Sequence, residues 1–339
     1  MTKQFGMPLD FAFNWCSRGT VFRNSALAEV RDFLASRHIK AFDERTSDLK
    51  VIMADSCALL QWGGSTKQTV PIRQSFFDKL MRWHQFPLQT LYKMESEELL
   101  PLMNAALRLI NKDVVIYIED GEAQTIVSQN YARIADEDLL DRIVRDDIEN
   151  ITRTDHFIRV TCKEIKKVAV KPGDLVGIGA SIVNSETGFR ALSVGWYLLR
   201  LVCMNGAVAP FSMYSERIYH QKQNDLDSQL DIALKSINEA KTEDMYLLLT
   251  KAVAKPLPPR REVERILIPM LGFRETRSML DPSYDKKSDQ RLYDLFNVIT
   301  WNAKNHPPSV QLAMEEYAGN MLWTAARPAS AQLPIEIAR

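Results

Sequence analysis

Apolar residues change their spacing several times along this chain, and each change marks an expected element boundary. Residues 1–70 hold short alternating pieces, Lys50–Met53 and Cys57–Trp62, followed by the break Gly63-Gly64-Ser65. Such pieces predict short strands separated by turns. The period then becomes helical: Phe76, Phe77, Leu80, Met81 and His84 recur at three- and four-residue spacing until Pro87. Leu99, Leu100, Met103, Leu107 and Ile110 form the stripe of a second helix over 97–111. Val114–Ile118 and Ala123–Ser128 read as a hairpin closed by Asp120-Gly121, a dipeptide that tolerates the left-handed backbone of a tight turn. Leu139, Leu140, Ile143, Val144 and Ile148 return to helical spacing.

The clearest β region runs from Phe157 to Cys203. Phe157–Val170, Leu175–Val183 and Phe189–Cys203 read as three strands joined by Pro172-Gly173-Asp174 and by Asn184–Gly188, which predicts an antiparallel meander. A long helix is expected over 225–254 with Leu226, Leu230, Leu234, Ile237 and Ala240 on its apolar face, then the stiff break Pro256 to Pro259. Helices are expected over 261–271 and 289–322, the latter interrupted at His306-Pro307-Pro308. The fold class is therefore α+β: an antiparallel meander with packed helices, followed by a helical C-terminal region. Its expected parts are a strand-rich segment 1–70, an α+β core 71–215, a helical region 216–325 and a mobile tail 326–339.

Composition removes several function classes. The 339 residues are 46% hydrophobic and 25% charged, which is ordinary for a globular chain. Lys plus Arg (43) equals Asp plus Glu (43), so no global field draws the protein to nucleic acid or anionic lipid, and any such binding needs a local patch. Cys16, Cys57, Cys162 and Cys203 stand far apart and five histidines show no ligand spacing, which argues against a zinc site or a disulfide framework. Cys203 reads as a buried structural thiol. The longest apolar stretch, Trp196–Pro210, is broken by Arg200 and Asn205 and is too short for a bilayer, so no membrane partner is expected. Met1–Asp10 lacks the pattern of an export signal, and a cytoplasmic location is the expectation. No G-x-x-x-x-G-K-[ST] run occurs, and Gly177-Ile178-Gly179 lacks the third glycine and following helix of a dinucleotide loop.

Residues 157–171 carry the most informative charge pattern. Side chains alternate across a strand, so Arg159, Lys163, Lys167 and Lys171 share one face with Thr161, at intervals of about 13 Å. Ile158, Val160, Cys162, Val168 and Val170 lie on the other, while Ile165 and Lys166 are out of phase and predict a bulge. A phosphate-tracking stripe fits this pattern, and so does a solvated strand face protected by lysines. Arg190 and Arg200 extend the surface, and Arg133 is a further candidate contact. Tyr131, Trp196 and Tyr197 are candidate stacking rings, although aromatics in a β region are more often core.

An enzyme reading stands beside this one. Glu164-Ile165-Lys166 matches the acid-x-lysine element of metal-dependent nucleases, with Asp155 or Asp120 as second acid and Mg²⁺ as cofactor. A plain Glu164–Lys166 ion pair accounts for the same residues, and outside the nuclease reading no metal or cofactor is expected.

Several motifs taken together resemble a known family. They are Val170-Lys171-Pro172-Gly173-Asp174, Asn184-Ser185-Glu186-Thr187-Gly188 and Arg200-Leu201-Val202-Cys203-Met204-Asn205-Gly206. Val127–Ile134, Asn297–Ala303 and Glu315–Gly319 agree with them. Over residues 70–325 the chain resembles the phage/plasmid-like domain-of-unknown-function family number 932. The resemblance implies a protein of phages, plasmids and integrative elements, borne among recombination and replication genes, with no established activity to carry over. The family's core is similar to ring-forming single-strand annealing proteins of the Rad-fifty-two type. The expected function is thus a non-catalytic, homo-oligomeric accessory protein that binds or anneals single-stranded DNA through Arg159, Lys163, Lys167 and Lys171, with Arg133 and Arg190 secondary. The alternatives are an interaction module for a host or phage protein using Arg261–Leu322, and the metal-dependent nuclease.

Overall fold

A computed structural model describes residues 16–143, 147–163, 166–200, 208–222, 242–284 and 290–326, with scattered positions between 225 and 235. In chain order its first elements are β1 (Phe22–Ser25), α1 (Leu27–Ser36), β2 (Ile39–Arg45), β3 (Lys50–Ala54), β4 (Cys57–Trp62) and β5 (Gln68–Pro71). Next come α2 (Gln74–Trp83), α3 (Leu88–Leu91), α4 (Ser96–Ile110), β6 (Asp113–Glu119), β7 (Glu122–Ser128) and α5 (Asp136–Arg142). The sheet strands β8 (Ile148–Arg153), β9 (Ile158–Cys162), β10 (Lys166–Lys171), β11 (Asp174–Asn184), β12 (Leu192–Arg200) and β13 (Val208–Ile218) follow. Helices Thr242–Ala254, Arg260–Leu271, Phe273–Tyr284, Leu292–Ala303 and Pro308–Ala326 complete the described chain.

All named strand pairings are antiparallel, and the protein is α+β with its later helices gathered at the C-terminal end. Two three-stranded sheets, β2-β6-β7 and β3-β4-β5, pack with α2 and α4 around one apolar core. The larger sheet runs β1-β8-β9-β11-β12-β13, with β10 also paired to β11. Its core includes α1 and the C-terminal helices. Packing does not divide at residue 70: Leu60 and Ile72 share a core with Leu99 and Ile116. Burying such a side chain is worth about 1.5–3 kcal/mol, so the strands before residue 70 are integral to that core.

Local chemistry sets the turns. Asp120 and Gly121 both adopt positive φ (52° and 85°), the combination a two-residue hairpin turn needs between β6 and β7. Pro101 is the sixth residue of α4 and lacks the N–H that would bond the carbonyl four residues before it, so packing of the apolar face holds the helix there. Several elements differ from the periodicity reading. Residues 148–153 form β8 rather than continuing a helix, and Phe273–Tyr284 is a helix that the pattern of apolar positions did not mark. Tertiary contacts decided both, since Ile148 and Ile151 enter the large core through the sheet. The expected apolar face Leu226 to Ala240 lies outside the described residues, as does the tail from residue 327. Among the described residues no helix is long and apolar enough to cross a membrane.

Candidate nucleic-acid interface

Strands β9 and β10 share the same edge of β11. Thr161 faces Ser181 and Lys166 faces Ile178, so five steps on one strand oppose three on the other. Two extra residues are thus inserted between Cys162 and Lys166. An even insertion preserves which face each side chain takes. Parity therefore holds along the strand, but coverage does not. Phe157 and Val183 pack against Leu312 of helix Pro308–Ala326, which covers the odd-numbered face of β9.

Arg159 is consequently buried, not solvated. Its Nη1 lies 2.6 Å from Glu315 on that helix, and its Nε donates to Ser181 Oγ. Burial pushes the Glu315 carboxyl up, and Arg159 pulls against that. Lys171 is half-buried with Nζ 2.9 Å from Asp294 and the same nitrogen over the Tyr293 ring. Arg190 pairs with Glu316, and Arg133 with Glu186. Lys163, Lys166 and Lys167 remain exposed at the interruption. The expected continuous stripe is therefore corrected: two of its four cations, Arg159 and Lys171, and both secondary candidates, Arg133 and Arg190, are held by carboxylates of the same chain. Tyr131 is a core ring whose hydroxyl donates to Ser185 O at 2.7 Å while the ring stacks on His220 at 5.1 Å. The side chains of Trp196, Tyr197 and Arg200 lie outside the described residues, as does Cys203.

The nuclease constellation is not assembled by the described residues. Asp155 precedes β9 and Lys166 follows it, so the strand alone separates them by about 13 Å. Asp155 accepts the Gly19 N–H at 3.0 Å and lies 3.5 Å from Arg73, which leaves a cation facing an arginine there. A Cβ on Gly19 would stand 1.8 Å from Asp155 Oδ1, so the contact requires glycine. Glu164 lies outside the described residues, and among those described no group of three or more His, Cys, Asp or Glu side chains has metal-holding geometry. Burial pushes the Cys162 thiol up to about 12, away from nucleophile chemistry.

The motif Asn184–Gly188 is a structural hub. Asn184 Nδ2 donates to Ile134 O and Asp136 Oδ1, and Thr187 Oγ1 donates to Asp155 O. Glu186 collects Arg37, Arg133 and Arg153, the last at 2.9 Å. Glu119 adds Arg37 at 3.2 Å and Arg73 at 2.9 Å, while Glu122 takes Arg73 and Glu137 takes Arg37. Burial pushes the Glu186 carboxyl up, but its three arginines outweigh that and hold it well below the usual carboxylate range. Asp136, fully buried next to Glu186, is raised by burial first and by that neighbour second. Arg153 is wholly buried here, with Nε 3.1 Å from Asp136. The network ties α1, β6, β7 and the segment before α2 to the large sheet.

Next to this hub stands a second cluster of opposite character. Phe189, half-exposed, follows Gly188, whose φ of 78° and close contact with Lys79 Nζ exclude a side chain. Lys79 Nζ lies 5.3 Å and the Arg82 guanidinium carbon 5.1 Å from the Phe189 ring centroid. His156 meets the ring edge-to-face at 4.3 Å, its Nε2 is 2.8 Å from Asp78 Oδ2, and Asp78 Oδ1 accepts from the Tyr92 hydroxyl. Lys79 donates to Gly188 O, a carbonyl. Among the described residues neither Lys79 nor Arg82 has a carboxylate at ion-pair distance. Burial, with the Arg82 charge added, pushes the Lys79 ammonium down to about 8. Sequence alone gave little sign of this cluster, because α2 and Phe189 stand more than a hundred residues apart.

No family model matches the chain, and neither a curated protein nor a solved structure does. The resemblance to family number 932 thus rests on its sequence motifs.

Proposed function

We propose that the chain is a non-catalytic, oligomeric accessory protein of a phage or other mobile element that binds single-stranded DNA. Phe189 is the base-stacking ring, Lys79 and Arg82 are the cations beside the backbone, and Lys163 and Lys167 add outlying phosphate contacts. One observation carries the reading: a half-exposed aromatic flanked by two cations that have no carboxylate partner among the described residues. Single-stranded nucleic acid supplies what is missing there, a π-face for the ring and a negative charge for the cations. The six cations expected from sequence support it less, since Arg159, Lys171, Arg133 and Arg190 are neutralised internally.

The test is fluorescence anisotropy of a labelled single-stranded oligonucleotide, with the oligomer followed by light scattering. Wild-type binding should weaken steeply as salt rises. Phe189→Ala should weaken it about five- to hundredfold, the loss of one stacked base at roughly 1–3 kcal/mol. No binding by the wild-type protein, or equal binding by Phe189→Ala, overturns the proposal.

A further inference from the structure

The far end of the C-terminal helices repeats the same chemistry. Phe273 opens helix Phe273–Tyr284 and Trp301 lies in the last turn of helix Leu292–Ala303. Both rings are large and substantially exposed, at 54% and 43%. Each carries a cation over its face: the Arg277 guanidinium carbon 4.3 Å from the Phe273 centroid, and Lys304 Nζ 3.0 Å from the Trp301 centroid. His306 Nε2 lies 3.4 Å from Glu275 Oε1, which brings the end of one helix to the start of the other. Both rings therefore sit at one tied end of the helical region.

Positive charge outnumbers negative at this end. Arg274 and Arg277 are exposed, and Arg23 reaches in from β1 to donate to His306 O at 3.4 Å. Two acids lie nearby: Glu275, 3.4 Å from a His306 ring that burial keeps towards its neutral form, and Glu264, 3.8 Å from Arg277 and also held by Arg260 at 2.9 Å. Single exposed aromatics are ordinary on protein surfaces. Two of them at one tied end, each topped by a cation within an excess of positive charge, match a sequence-tolerant stacking platform.

We infer that Phe273 and Trp301, with Arg274 and Lys304 beside them, form a second platform for the same single-stranded DNA. The inference rests on the proposed function and adds a second footprint to it. Helix Pro308–Ala326 links the two places, with His306 before its start and Glu316, the partner of Arg190, further along it. Ten helical residues rise about 15 Å, and stacked nucleotides advance about 3.4 Å each. The rise from His306 to Glu316 thus matches about four to five nucleotides of one strand.

The experiment uses the full chain and a labelled twenty-nucleotide single strand in anisotropy titrations. Trp301→Ala and the double variant Phe273→Ala/Trp301→Ala should each weaken binding, the double by about tenfold or more, while Trp301→Phe retains most of it. Arg274→Glu with Lys304→Glu serves as a second probe that leaves both rings in place, and should lower affinity and flatten the salt dependence. Ultraviolet crosslinking of a bromouracil-substituted strand should label peptides containing Phe273 or Trp301. Wild-type protein that binds the strand and loses affinity in Phe189→Ala, but not in the ring or charge variants here, overturns this second platform alone. Wild-type protein that ignores the strand overturns both readings.

Discussion

Two charge clusters lie within a few residues of each other around the turn Asn184–Gly188, and they are built on opposite principles. On one side Glu186 is buried and met by three arginines, with Glu119 and Asp136 completing a network that spans two apolar cores. On the other, Lys79 and Arg82 flank Phe189 and face no carboxylate among the described residues. Desolvating a charge is expensive, so a buried group persists only when its partners are already present. Compensation inside the chain makes the Glu186 network a fastening between cores. Cations left uncompensated at a half-exposed ring are better matched by a partner from outside.

Removing one member of the fastening should have the largest effect. Glu186→Gln removes the carboxylate that Arg37, Arg133 and Arg153 share, while Arg37 keeps Glu119 and Glu137 and Arg153 keeps Asp136, so the loss should fall near the lower end of the about 3–5 kcal/mol that breaking a buried pair costs. Chemical denaturation should show that loss near neutral pH. Because the folded carboxyl is held low, its stabilising contribution is full above the ordinary carboxylate pKa of about 4.3 and fades as pH falls. A midpoint unmoved by Glu186→Gln would mean that the network is not the fastening described.

A smaller effect sharpens the other side of the comparison. The folded ammonium of Lys79 titrates near 8, below the unfolded value of about 10.4. Between those values the unfolded chain holds more protons, so the Lys79 contribution to stability rises with pH over that window. Anion binding runs the other way and should weaken as pH rises through about 8. Oligonucleotide titrations at several pH values check this, and Lys79→Arg, always charged, should abolish the pH step. An unchanged step in that variant would assign the titration to another group.

The smallest change is expected at the strand interruption. Lys163→Glu with Lys167→Glu should leave stability within about 0.5 kcal/mol, as at other surface sites. Their contribution as outlying contacts should appear in the salt dependence, whose slope should fall by about 0.7 per phosphate contact removed. A slope equal to that of the wild-type protein would confine DNA contact to the ring clusters.

Much of the local structure was legible in the chain. Helical spacing around Phe76 to Met81 matches α2, Asp120-Gly121 matches a positive-φ turn, and the misfit at Ile165 and Lys166 coincides with a two-residue insertion in the strand. Alternation even assigned Arg159 to the correct strand face. It said nothing of what covers that face, because Leu312 and Glu315 arrive from more than 150 residues away.

Sequence by itself determined the α+β class, the antiparallel meander and the positions of its turns, since these follow from side-chain period and from backbone preferences of neighbouring residues. Only the tertiary structure decided which charges are spent inside the molecule and which face outward. Pairing energy depends on distance and burial, and both are set by contacts such as Arg159 with Glu315 or Lys79 with Phe189, between segments that no local pattern links.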